Sequence, residues 1–103
     1  MTPDELTELG VLRERIDGLD AQLVELLGCR FQVTREVGRL KAACGLPAQD
    51  EHREAAQRDR LRRLAAEQGI DPDAVVSVFD VIVAQVRAEH EAARRAAGGA
   101  VTD

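Results

Sequence analysis

Aromatic rings are almost missing from this chain. Its 103 residues include no Trp, no Tyr and 2 Phe. A core without rings must be built from Leu, Val, Ile and Ala, which suits helix packed on helix. A positive balance is missing too. The formal net charge is −5, so nothing overall draws the chain to nucleic acid or to an anionic membrane. Any anion site must therefore be a local gathering of Arg and Lys. No apolar run approaches the ~18 residues of a membrane span. The acidic start MTPDELTEL lacks the apolar stretch of a signal peptide. Cysteine is scarce, with 2 in the chain. On one helix Cys29 and Cys44 would stand roughly 22 Å apart, too far for a disulfide within the chain. Reduced thiols and a cytoplasmic location are the expectation. Cys29, Cys44, His52 and His90 also lack the spacing of a zinc site, so no metal is expected.

What is present is a globular balance, 45% hydrophobic and 32% charged, in a length that suits one domain over 1–103. The pattern is all-α, with one long, one short and one medium helix. Thr2 and Glu5 fit a capping box with Pro3 at the first helical position. Residues 1–11 read as an N-terminal extension that Gly10 can interrupt. From Leu12 an apolar seam runs through Ile16, Leu19, Leu23 and Leu26, then Val33, Val37 and Leu40, and it ends at Gly45-Leu46-Pro47. The second helix is expected from Gln49 or Asp50 to Gln68, with Gly69 as its stop. Asp71-Pro72 opens the third, expected to reach about Arg95. The tail 96–103 lacks periodicity and is expected to be disordered.

The first helix determines the architecture. From Leu12 to Ala43 it would span about 48 Å, whereas a compact monomer of this size has a radius of gyration of about 13 Å. Two shorter helices cannot cover its stripe. The expectation is an intertwined homodimer in which long helices cover each other. The alternative is a monomeric three-helix bundle with a frayed first helix.

Several charges interrupt apolar faces. The seam asks for an apolar residue at 30 and the chain supplies Arg30. Lys41 lies about 20° from it around the helix and about 16 Å along the axis. A cation so near a helix end also suits a solvated dipole partner. On the second helix the stripe Leu61, Leu64, Ala65 is preceded by Asp50, Arg53, Glu54 and Gln57. That end either leaves the core for solvent or lines a polar cavity. On the third helix Val75, Phe79, Ile82 and Val86 lead to His90, which reads either as a satisfied core or rim histidine or as a site residue. Burying such charges unpaired costs several kcal/mol. Their mostly positive sign points to a small anion, and carboxylates match the Arg fork. Arg13 lies roughly 25 Å before Arg30 and about 100° round the helix. It cannot share a ligand with Arg30 of its own chain, but in an antiparallel dimer the partner's Arg13 reaches.

The segments LRERIDGLDAQLVELLGCR, VGRLK and GLPAQDEHRE, in this order and helix layout, resemble the all-helical (AroQ-type) chorismate mutases from about Leu12 to Ala93. The resemblance implies an intertwined helical homodimer and a cofactor-free [3,3] rearrangement of chorismate to prephenate, feeding aromatic amino acid synthesis. By matching position, Arg13 would come from the partner subunit. Arg13, Arg30 and Arg53 would grip the two carboxylates. Lys41 would donate to the ether oxygen, and Asp50 and Glu54 would hold the ring hydroxyl.

Two positions depart from the family pattern. His90 stands where many members have Gln and some Glu, as a second donor to the ether oxygen. A neutral imidazole can donate one N–H, with activity then sensitive to pH where imidazoles titrate. Val86 stands where Ser is frequent, so one hydrogen bond near the ring carboxylate is lost. Relatives on this fold eliminate pyruvate from isochorismate or rearrange 4-amino-4-deoxychorismate. They tend to lose the acidic pair kept here at Asp50 and Glu54. A non-catalytic helical interaction module, its charges merely solvated, is the reading of another class. The chain is short for an added regulatory domain, and any activating partner enzyme is unknown.

Overall fold

The computed structural model describes residues 1–99. It holds three helices: α1 (Pro3–Ala43), α2 (Glu51–Glu67) and α3 (Pro72–Gly99). Each boundary has a local chemical cause. The N–H of Thr2 donates to Glu5 Oε2 at 2.9 Å, and the N–H of Glu5 donates back to Thr2 Oγ1 at 3.2 Å. This is the expected capping box, closed by two orphan donors of the first turn. Gly10 does not interrupt the helix, and residues 3–11 are continuous with the rest of α1.

Both later stops are Schellman turns. Gly45, at φ +71°, lets Leu46 N–H reach Lys41 O at 2.8 Å and its own N–H reach Ala42 O at 3.2 Å. Gly69, at φ +69°, repeats this, with Ile70 N–H on Ala65 O at 2.9 Å and Gly69 N–H on Ala66 O at 3.1 Å. Asp50 and Asp71 cap the helices that follow. Asp71 Oδ1 accepts from Asp73 N–H at 3.0 Å, with Pro72 in the first helical position, where no N–H is missed.

The third helix runs past the expected end near Arg95 to Gly99. Ala96 and Ala97 extend it because alanine has the highest helix propensity, so the expected disordered tail is helical over 96–99. Residues 100–103 lie outside the described residues.

The chain divides into two units, Met1–Val33 and Thr34–Asp103. The first unit is a stretch of helix whose large apolar side chains face solvent. Leu12, Ile16, Leu19, Leu23, Leu26 and Val33 are all exposed, Leu26 by 66%. In the second unit α2 and α3 pack side by side around Leu61, Ala65 and Val76, with Ala48 tucked in the loop between α1 and α2. The last turns of α1 meet the C-terminal half of α3 through Gly38, Arg35 and Thr34. Among the described residues no large side chain is fully buried. No helix among them is long and apolar enough to cross a membrane.

Candidate active site

The Schellman stop of α1 determines where Lys41 sits. Lys41 lies in the last turn, half-buried, with its carbonyl bound by Leu46 N–H. Its side chain borders an open cleft of about 530 Å³ that Leu46, Pro47, Gln49, Asp50 and Glu51 also line. The reversal at Gly45 thus brings Lys41 and Asp50 to one cavity. Asp50 is the N-cap of α2. Its Oδ1 accepts from Arg53 N–H at 3.0 Å, which anchors the carboxylate and leaves its second oxygen toward other partners. Arg53 follows in the first turn of α2 as an exposed residue, joined to the same acid through its backbone N–H.

His90 is buried, 5% exposed, on the apolar stripe after Val86, which is half-buried. Although the acids Glu89 and Glu91 flank His90 in sequence, the residue is out of solvent. Its Nε2 lies 2.6 Å from the carbonyl oxygen of Thr34 on α1. A carbonyl only accepts, so Nε2 carries the hydrogen. The single N–H of the neutral ring is thus committed to the backbone. Nδ1 is left as an acceptor, buried and without a protein partner among the described residues. A second donation to an ether oxygen requires the ring to leave Thr34 or to take a proton. This differs from the expectation drawn from the imidazole alone, because residue type does not reveal which nitrogen a neighbouring carbonyl will claim.

Gly38 makes room for that ring. A Cβ built on Gly38 would stand 2.5 Å from His90 Cδ2, 3.0 Å from Nε2 and 3.2 Å from Cγ. The glycine is buried one turn before Lys41, so the imidazole packs on α1 a turn ahead of the lysine. Arg35 grips Glu89 beside it, with Nε at 3.2 Å from Oε2 and Nη2 at 3.0 Å from Oε1. The Arg35 hydrogen bonds hold the Glu89 carboxyl below the usual glutamate range, with burial opposing and Gln85 assisting.

Glu54, the second expected acid, is half-buried and bound from α3. Arg87 Nε donates to Glu54 Oε1 at 2.9 Å, and Arg87 Nη2 donates to Oε2. The carboxylate raises the Arg87 guanidinium above its ordinary range, chiefly by this hydrogen bond, against a cost of burial. The polar half of the α2 stripe therefore faces a partner helix at Glu54, whereas Asp50 and Arg53 are exposed.

Of the expected site residues, Lys41, Asp50, Arg53, Glu54, Val86 and His90 belong to the second unit. Arg13 and Arg30 belong to the first; Arg13 is exposed and Arg30 half-buried. Sequence reasoning overlooked Thr34, Gly38 and Arg87. Gly38 did carry a signal, since an isolated glycine inside a periodic helix costs about 1 kcal/mol and asks for a packing reason. Arg87 and Thr34 carried none, as both fit an ordinary helix surface.

The class the fold defines is an all-helical protein of one long, one short and one medium helix, with a lysine and an acid on one cleft where α1 stops. Comparison with known proteins supplies the family. The family model described as "Chorismate mutase type II" matches residues 12–91. The chain belongs to the type II chorismate mutase family. It is 27% identical over 78 residues to a chorismate mutase of Methanocaldococcus jannaschii, covering 76% of this chain and 79% of that one. It is 32% identical over 82 residues to a 4-amino-4-deoxychorismate mutase of Streptomyces venezuelae, with 80% of each chain covered. It is 35% identical over 83 residues to an isochorismate pyruvate lyase of Pseudomonas aeruginosa, again with 80% of each covered.

Proposed function

We propose that the protein is an isomerase that rearranges chorismate to prephenate without a cofactor. The observation that carries this reading is the cleft shared by Lys41 and Asp50, in a chain of this family. A pericyclic step requires no acid, base or nucleophile. It requires the substrate folded with its reacting ends in contact and a fixed positive charge at the breaking C–O bond. Lys41 supplies that charge at the ether oxygen. Arg30 and Arg53 hold the carboxylates, and Asp50 and Glu54 receive the ring hydroxyl. By family match, His90 stands at the position of the second donor to the ether oxygen and Val86 at a position near the ring carboxylate. Lys41 donates alone while His90 Nε2 is bound to Thr34.

The site is completed by a second copy of the chain. The exposed seam Leu12, Ile16, Leu19, Leu23, Leu26 alternates steps of four and three, the spacing of helices that cover one another. A homodimer buries it and carries the partner's Arg13 to the substrate carboxylates. The exposed free thiols of Cys29 and Cys44 suit a reducing cytoplasm.

A second reading has support in the higher identities to the lyase and the amino-substrate mutase. Against it stands the acidic pair Asp50 and Glu54, which suits a hydroxyl at that ring carbon. The test follows loss of chorismate absorbance with product identification. Prephenate supports the mutase. Salicylate and pyruvate from isochorismate, or turnover of the amino compound alone, support the second reading. A folded dimer that turns over none of the three refutes both and leaves a helical interaction module.

A further inference from the structure

We propose that Arg87 is a positioning residue of this site, holding the Glu54 carboxylate in the orientation that receives the substrate's ring hydroxyl. The inference rests on the mutase reading above and deepens it. Three cross-helix arginine pairs link α2 and α3 among the described residues. Arg58–Asp80 and Arg62–Asp73 are single hydrogen bonds of 2.7 Å between well-exposed side chains. Such pairs are screened and contribute little. Arg87–Glu54 differs in kind. It is two-pronged and partly buried, with the Glu54 side chain 21% exposed.

The fork has two consequences. A carboxylate held at both oxygens cannot rotate about its terminal torsion, which is otherwise broad and soft. Each oxygen still keeps a second lone pair, so a hydroxyl can donate to Glu54 while Arg87 holds it. The fork also cancels a charge. Asp50, Glu51 and Glu54 cluster at the start of α2; Asp50 and Glu51 line the Lys41 cleft, Glu54 and Arg87 line the neighbouring one that shares Glu51, and together the three acids repel a substrate with two carboxylates. Neutralising Glu54 removes part of that repulsion without removing the acceptor. A lysine would keep the neutralising charge but not the planar fork that fixes the carboxylate's orientation.

The test compares the full-length protein with Arg87→Met, Arg87→Lys, Glu54→Gln and the Arg87→Met/Glu54→Gln double variant. kcat and KM are read on chorismate and on an analogue lacking the ring hydroxyl, and melting is followed by circular dichroism. Arg87→Met should lower kcat/KM on chorismate by roughly tenfold to a hundredfold, the scale of a misplacement of about 1 Å. The same change should add little in the Glu54→Gln background and little on the analogue. Arg87→Lys, which keeps the charge and the fold, should lose an intermediate amount. Equal losses on both substrates, additivity with Glu54→Gln, or full activity in a folded Arg87→Met or Arg87→Lys protein would overturn the proposal and leave Arg87 a brace between helices. If the unaltered protein fails to convert chorismate, the mutase reading itself has failed, a result these variant ratios cannot imitate.

Discussion

Gly38→Ala sets two effects of opposite sign against each other. Alanine in place of a helical glycine ordinarily gains about 1 kcal/mol of stability. Here the added Cβ would stand 2.5 Å from His90 Cδ2, where carbon contacts settle at about 3.5–4.0 Å. The ring must retreat by about 1 Å. Its 2.6 Å bond to the Thr34 carbonyl then breaks, at about 1 kcal/mol for the bond itself. Overpacking adds about 1–3 kcal/mol. The steric term exceeds the propensity gain, so the variant should be less stable by about 1–3 kcal/mol. At roughly 4–8 °C per kcal/mol the melting temperature should fall by roughly 4–24 °C. Gly10→Ala is the control, because nothing lies within 4 Å of a Cβ there. It should melt at or above the parent. In a His90→Ala background the ring is gone, and Gly38→Ala should become neutral or stabilising. Thermal melts at fixed protein concentration decide the matter. A Gly38→Ala protein as stable as the parent, or destabilised equally with and without the His90 ring, would refute the reasoning.

Other perturbations test the site and the assembly. Lys41→Ala should raise the barrier on chorismate by about 3–4 kcal/mol, the loss typical of one fixed donor in a water-excluded site, with the melt little changed; steady-state kinetics beside circular dichroism would reveal a smaller effect. Mixing Arg13→Ala with Lys41→Ala chains should restore part of the activity, since some mixed dimers regain one intact site; no recovery in subunits shown to exchange would remove Arg13 from the partner's site. Glu89 makes a pH prediction whose sign follows from its direction of shift. Its folded carboxyl sits below the usual glutamate value, so its contribution is present above about pH 4.3 and is lost as pH falls through the folded value. Arg35→Met should therefore lose stability at neutral pH and show a flatter acid limb in melts taken from pH 6 to 3.

Much of the local structure is legible in the residues themselves. Thr2, Pro3 and Glu5 announce the first cap, and the bonds between Thr2 and Glu5 span a single turn. Gly45 and Gly69 mark the two stops because an L side chain strains in the left-handed region they occupy. The gathering of Lys41 and Asp50 is half legible. The polar interruptions were visible, but the cleft they share depends on how the loop through Leu46 and Pro47 folds back. The end of α3 was misplaced because the alanines after Arg95 have no apolar rhythm, although their propensity is high.

What the sequence by itself determined is therefore the set of interactions that close within a turn or two of chain: caps, stops, the apolar seam of α1, and the positions where cations break that seam. These need only the 3.6-residue period and the allowed backbone angles. The tertiary structure alone decided which side chain answers which across helices. His90 meets Thr34 and Gly38, Glu89 meets Arg35, and Glu54 meets Arg87, each over more than thirty positions of chain. A hydrogen bond requires its atoms within about 3 Å. That distance is set by where two helices lie against each other, and no residue's own neighbours in sequence carry that information.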